Sequence, residues 1–551
     1  MKKILLPICS LAVSLASAQE KGAFGDINPQ EFTKQDSLFG SNATPYRNFW
    51  DVQKYEIEAE PNFAQQSVKG SNRINFEIIE DRSNPTFQID IQQPMNVSNI
   101  ISDFEITNTQ RDGNFLFIST KGDFKKGDRY FISIDFDGKP KVAKRAPWDG
   151  GWIFTKDPAG KPWMTTATEG TGTSVWLPIK DSWADEPDLG VDFTVIAPKD
   201  LVGVANGKLI EQKTINNKNI SLWQVTNPIN AYNITPYIGD YAHFSDTFDG
   251  EKGKLSLDYY VIKENLEKAK KHFEIVKPML KAFEYWFGPY PWYEDGYKIV
   301  ETSHLGMEHQ SAVAYGNGYK NGYLGTDLSG TGVGLKWDFI IVHESGHEWF
   351  ANNITAFDQA DMWVHESFTC YSETLFTDFV YGKEDGDKYI VGQRGKIIND
   401  IPIIGKYGVR NEGSGDMYYK GANMLHTIRT VINDDAKFRE ILRGLNQEFY
   451  HQIVTGKQVQ DYINEKSGIN FDTVYQQYLR TIKIPKLEYK LEGKKLSYRW
   501  VDAVDNFKLP IRLKNSKITI IPTSEWQSIK YKEKKTLEWD SNYYVEYTEV
   551  K

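Results

Sequence analysis

The segment IVHESGHEWF, residues 341–350, holds His343, Glu344 and His347 in the spacing H-E-x-x-H. Residues 336–352 read as a helix, and helical positions four apart lie about 40° apart around the axis, one turn up. The two histidines then share a face and can grip one metal ion. Glu344 is offset by about 100° from His343. It stands beside such an ion without binding it, where a general base takes a proton from metal-activated water. The plain alternative is two histidines packed on an ordinary helix. With nine histidines in the chain, the spacing arises by chance roughly 0.01 times at a typical ~7% glutamate content. His304, His309 and His365 also fall in the same region. Gly346 sits inside the helix, where glycine costs about 1 kcal/mol against alanine. Close packing or a nearby ligand is expected there.

A zinc hydrolase needs a third protein ligand and an open fourth position. A second helical segment, ADMWVHESFTCYSETL (360–375), offers His365 and Glu366. Adjacent helical residues point about 100° apart, so only one of the two ligates. Glu373 lies seven residues after Glu366, two turns on, and shares its face.

These segments resemble the gluzincin aminopeptidases, the aminopeptidase N family that includes leukotriene hydrolase. The family pattern is H-E-x-x-H, eighteen residues, then Glu, and here residues 348–365 separate His347 from Glu366. The resemblance makes Glu366 the third ligand and leaves out His365, which stands where the family commonly has Asn. Leu305-Gly306-Met307-Glu308-His309 resembles the G-x-M-E-N exopeptidase motif, with Leu for its first Gly and His for its Asn. It implies that Glu308 holds the free ammonium of a peptide, with Gly306 and Met307 also at the substrate. MYYKGANML (417–425) resembles Y-E-K-G-A. Matching on Lys420-Gly421 places the catalytic tyrosine at Tyr418, not Tyr419, as donor to the oxyanion. TTATEGTGTSVWLPIKDSWADEP (165–187) resembles a stretch of the family's N-terminal domain that reaches the cleft. Counting back from Trp176-Leu177-Pro178 makes Glu169 a second ammonium anchor, with Ala167 where many members carry Gln. Glu373 matches an acidic position that orients a histidine ligand from behind.

The rest of the chain frames this region. From about 45 to 250, YEIEAEP, SNRINFEII, FQIDIQ, FLFIST and RYFISIDF alternate with period two, and RDGN, KGD and DGKP punctuate them. That pattern reads as an antiparallel β-sandwich. Residues 263–287 read as a helix, with Leu266, Ala269, Phe273, Val276 and Leu280 on one face and Pro278 as a point of kinking. YKIVET (297–302) is strand-like, and NGYLGTDLSGTGVG (321–334) reads as a mobile glycine-rich loop. Helical patterns recur over 366–381, 416–432 and 435–448, and strand patterns return after Ile484. The expected fold is multidomain α+β. An N-terminal β domain spans 19–250, a mostly helical catalytic domain 251–484, and a small C-terminal β domain 485–551. The resemblance implies that the catalytic domain is thermolysin-like. Many family members add a large C-terminal helical domain, for which nothing remains after Lys551. The chain therefore reads as a short form, and lipid-epoxide activity is not expected of it.

A chain of 551 residues suggests two to four domains. Its net charge of −9 argues against a nucleic-acid partner, which would need a basic face. Residues 1–18 read as a signal peptide: Lys2 and Lys3, an apolar run from Ile4 to Ala16, then Ala16-Ser17-Ala18 before Gln19. A secreted or periplasmic protein is expected. Cys9 lacks the small residues that precede a lipidated cysteine. No other stretch has about 18 consecutive apolar residues, so no membrane span is expected. Cys370 is then the one remaining cysteine and reads as a buried small hydrophobe. The expected activity is that of a zinc aminopeptidase, with one Zn²⁺ per chain and peptide substrates bearing a free N-terminus. A zinc endopeptidase, or a non-catalytic peptide-binding protein on a peptidase scaffold, is the alternative.

Overall fold

The computed structural model describes residues 31–40, 44–514, 516–531 and 537–551. The expected signal peptide, its cleavage site and Cys9 lie outside the described residues.

Period-two alternation produces strands throughout the first 250 residues. Trp50–Asn62 and Ser67–Ile78 pair antiparallel at the centre of a seven-stranded sheet. Val191–Pro198 runs parallel to Trp50–Asn62, so this sheet is mixed and not antiparallel throughout. Alternation reports which face a side chain takes, not strand direction. A parallel partner needs a long crossover, and residues 63–190 supply it. A three-stranded sheet with Thr86–Asp90 at one edge packs against the large one through aromatic rings. Phe87 meets Phe76 at 5.2 Å and Trp50 at 5.6 Å between ring centroids.

The border expected at residue 250 falls in a turn. Tyr241–Gly250 and Gly253–Ile262 form a hairpin, and both belong to a five-stranded sheet with Tyr297–Glu301, Val313–Tyr315 and Gly306–Met307. The sheet that carries the Gly306 motif thus begins before that border. Residues 263–287 are not one helix. Leu266–His272 and Val276–Phe287 are separated by a tight turn at Phe273–Ile275. Pro278 lacks an N–H, and its ring opposes the carbonyl four residues back, at Glu274, so the break lies upstream of the proline. The glycine-rich loop expected to be mobile is tied by hydrogen bonds. Asn317 Nδ2 donates to Gly322 O (2.9 Å), and Asp327 accepts from Ser329 N (2.9 Å).

The helices that follow are Phe339–Gly346, Trp363–Tyr381, Tyr419–Ile432 and Asp435–Glu448. Lys383–Gly392, Gly456–Ser467 and Asp472–Arg480 add three that the sequence reading did not delimit. Beyond them lies a four-stranded sheet that includes Lys486–Glu492 and Lys495–Val501. The segment before its last strand is tied to the turn Gln393–Lys396, where Arg394 Nη1 donates to Ser541 O (2.7 Å). Cys370 is buried and free. Among the described residues, no helix is long and apolar enough to cross a membrane.

Candidate metal centre

Asp338 starts the first histidine helix by accepting from Ile341 N at 3.1 Å. The apolar run Phe339–Val342 draws the helix inside, so His343 and Glu344 are desolvated with it. The helix ends at Gly346, earlier than the 352 expected. In the wide turn Glu348–Asn352, Phe350 and Ala351 leave helical geometry, Ala351 at φ 121°. A non-glycine residue there carries roughly 1–3 kcal/mol of strain. Gly346 serves close packing: a Cβ on it would stand 2.4 Å from Ser372 Oγ and 3.2 Å from Thr369 Cγ2. Both belong to the helix Trp363–Tyr381, so the glycine lets the two helices touch.

That contact brings His343, His347 and Glu366 together, with one donor atom from each within 4.8 Å of the others. Glu366 Oε2 lies 3.6 Å from His343 Nε2 and 3.5 Å from His347 Nε2. Donors about 2.0–2.1 Å from a tetrahedral zinc ion stand roughly 3.3–3.5 Å apart, so the spacing fits zinc. The other ring nitrogens are engaged. His343 Nδ1 donates to Glu373 Oε1 at 2.7 Å, and His347 Nδ1 donates to Phe350 O at 3.1 Å. Both bonds turn the Nε2 atoms toward Glu366. Glu373 is fully buried, and its Oε2 accepts from Tyr389 OH (2.6 Å) and Gln393 Nε2 (3.0 Å). Burial lifts the Glu366 carboxyl, yet the facing His347 and His343 rings hold it well below the usual carboxylate range. Glu366 Oε2 has no hydrogen-bond partner. Two buried imidazoles and one carboxylate whose Oε2 has no partner suit a single divalent cation, which would displace the ring protons. His365 faces elsewhere: its Nε2 accepts from Ala356 N (2.8 Å) and its ring stacks on Trp183 at 4.9 Å.

Glu344, Glu308 and His347 likewise bring donor atoms within 4.8 Å of one another. Burial pushes the Glu344 carboxyl up to about 7, against the pull of His343 and His347. Gly306 lies directly beneath it, since a Cβ there would stand 2.6 Å from Glu344 Oε1. Gly306 and Met307 pair with Tyr315 and Ala314, which fixes this short strand beside the first histidine helix. Glu308 is 4% exposed, and its Oε1 has no hydrogen-bond partner. Glu169 Oε1 has none either. Burial and then the Glu308 carboxylate push the Glu169 carboxyl up, which puts the two acids side by side. Such a pair attracts a cation. Tyr418 OH donates to Glu366 Oε1 at 2.9 Å, and burial raises its pKa, so the phenol stays a donor at neutral pH.

The sequence reading missed two residues at this cleft. Glu412 reaches it beside Gly170, where a Cβ would stand 3.6 Å from Glu412 Oε1. Burial pushes its carboxyl up to about 7, with Arg410 opposing. Arg410 donates from Nη2 to Glu169 O (2.9 Å) and from Nε to Gly170 O (3.2 Å). No motif marks either, because contacts to backbone carbonyls across 241 residues leave no local signature.

Comparison with known proteins gives a consistent picture. Residues 271–478 match the model of the peptidase family M1 domain, and residues 52–233 match that of the peptidase M1 N-terminal domain. A leucyl aminopeptidase of Saccharolobus solfataricus is 20% identical over 505 residues, covering 85% of this chain and 59% of the relative. Leukotriene A-4 hydrolase of Xenopus laevis is 24% identical over 429 residues, covering 72% and 66%. The chain thus spans about three fifths to two thirds of the length of these relatives. A solved M1 zinc metallopeptidase from Deinococcus radiodurans, a variant bound to a Tyr-Ser-Ala substrate, shares the fold. Its TM-score is 0.65 at 18% identity, over 80% of this chain and 96% of that one.

Proposed function

This chain belongs to peptidase family M1, and we propose that it is a zinc-dependent aminopeptidase removing the first residue of peptides with a free amino terminus. One observation carries the reading. A buried histidine, histidine and glutamate set of zinc spacing lies beside two carboxylates, Glu308 and Glu169, whose Oε1 atoms lack partners. One zinc ion per chain would be held by His343, His347 and Glu366. When bound there it supplies a Lewis acid for the scissile carbonyl and lowers the pKa of water. The remaining work falls to the chain. Glu344, buried beside His343 and His347, takes the proton of the attacking water and returns it to the leaving amine. Tyr418 turns its O–H from Glu366 to the developing oxyanion. Glu308 and Glu169 hold the substrate ammonium, so that only the first peptide bond reaches Glu344. The sequence supports export through cleavage near Ala18-Gln19, to the periplasm or the exterior. It also supports a separate small β domain after residue 484.

The test is a panel of amino-acid anilides assayed with and without chelator. Hydrolysis should vanish on chelation and return with zinc, and N-acetylated substrates should be refused. Cleavage of an N-acetylated peptide at an internal bond would favour an endopeptidase instead. Glu344→Gln should keep its zinc and lose roughly 10²–10⁴-fold in kcat. Glu308→Ala should mainly raise KM for free amines. Normal turnover by Glu344→Gln would remove the general base from this mechanism.

A further inference from the structure

A carboxylate anchors an ammonium only if the backbone beneath it is fixed. Glu169 sits on a loop between the strand Pro162–Ala167 and the short turn Thr173–Val175. The loop closes on itself with one bond, Gly172 N to Thr168 O at 2.7 Å. Its outer carbonyls are held from far along the chain. Arg410 Nη2 donates to Glu169 O (2.9 Å) and Nε to Gly170 O (3.2 Å), while Gln359 Nε2 reaches Glu169 O at 3.3 Å. A planar guanidinium spans two successive carbonyls with two donors of one rigid fork; a lysine ammonium does not.

Arg410 is itself confined. Its guanidinium carbon lies 4.0 Å over the Phe39 ring, and Nη1 lies 3.8 Å from Asp181 Oδ1, with the arginine side chain 8% exposed. Its backbone is left-handed at φ 52°, a region that costs a non-glycine residue energy. Gly172, at φ 80°, closes the other side. A Cβ there would meet Asp181 Oδ2 at 2.1 Å, Phe39 Cζ at 2.8 Å and Arg410 Nη1 at 2.9 Å. A buried cation, a strained backbone and a glycine-only approach all converge on the loop that delivers Glu169.

We infer that Arg410 is a positioning residue for amine recognition, acting through Glu169; the inference rests on the aminopeptidase reading above. It does not touch substrate. It sets where the second ammonium anchor stands, and thereby couples the β-rich part of the molecule to the metal-bearing part.

A double-mutant cycle tests this on the zinc-loaded chain, with kcat and KM measured on leucine anilide and with zinc content and Tm as controls. Arg410→Ala should raise KM roughly tenfold, leave kcat within about threefold and retain zinc. Arg410→Lys, which keeps the charge and one donor, should fall between it and the unmodified chain. In a Glu169→Ala background, Arg410→Ala should change KM by less than about twofold. A full tenfold effect in that background, or an unchanged KM in both arginine variants, overturns the inference. Failure of the unmodified chain to hydrolyse any anilide overturns the aminopeptidase reading, and the inference with it.

Discussion

A carboxylate that must accept a proton near neutral pH has to be held out of water while still seeing positive charge. Glu344 meets both conditions, buried in its helix and flanked by His343 and His347. Its rotamer rests on Gly306, so Gly306→Ala places a Cβ 2.6 Å from Glu344 Oε1 and 2.8 Å from Ile340 Cγ2. We expect kcat to fall roughly 10–100-fold with zinc retained, because a catalytic group displaced by about 1 Å loses on that order. Metal content and steady-state kinetics check it; unchanged kcat would free Glu344 from this constraint. Glu373 acts from behind by fixing the His343 ring at 2.7 Å. Glu373→Gln should weaken zinc affinity by roughly 10–100-fold in chelator competition.

Two helices that meet face to face make the site, and a glycine sets how closely they meet. Gly346→Ala puts a methyl 2.4 Å from Ser372 Oγ. Overpacking of this kind costs typically 1–3 kcal/mol. A lowered thermal midpoint together with weaker zinc binding is expected; a raised midpoint would mean that the glycine only costs helix propensity. The elements were unequally legible in the sequence. His343 and His347 were readable because helical periodicity is local and puts them on a common face; periodicity left His365 and Glu366 open, and the family resemblance chose Glu366 and gave Glu373 its role. The early end of the first helix was not readable, because Gly346 answers to Ser372 on another helix. The break before Pro278 was readable as a kink but not at its true place. Gly456–Ser467 could have been found, since Thr455 and Gln458 form a capping box that the sequence spells out.

Across the whole molecule, the two parts are joined by buried polar groups that no sequence period reveals. Asn233 Nδ2 donates to Asn352 Oδ1 at 2.8 Å, and Glu186 Oε1 accepts from Thr355 Oγ1 at 2.8 Å. Arg410 reaches back to Glu169 in the same way. These contacts join residues distant in sequence, so reading along the chain could not place them. The Glu186 junction has a pH signature. Burial pushes its carboxyl from 4.5 up to about 7, so between those values the folded protein binds more protons than the unfolded chain. Stability from this group is therefore lost as pH rises through that window. Glu186→Gln removes the effect. Its stability relative to the parent should be similar near pH 4.5 and improve by up to about 3 kcal/mol by pH 8. Thermal midpoints at the two pH values check this, and equal differences at both would show that Glu186 does not titrate with folding.

Everything turns on one ion at one place. The direct measurement is anomalous diffraction at the zinc edge from crystals of the purified chain. A single peak should lie about 2.0–2.2 Å from His343 Nε2, His347 Nε2 and a Glu366 oxygen. A peak elsewhere, or zinc-loaded crystals with none between these three residues, would contradict the metal centre and the chemistry built on it.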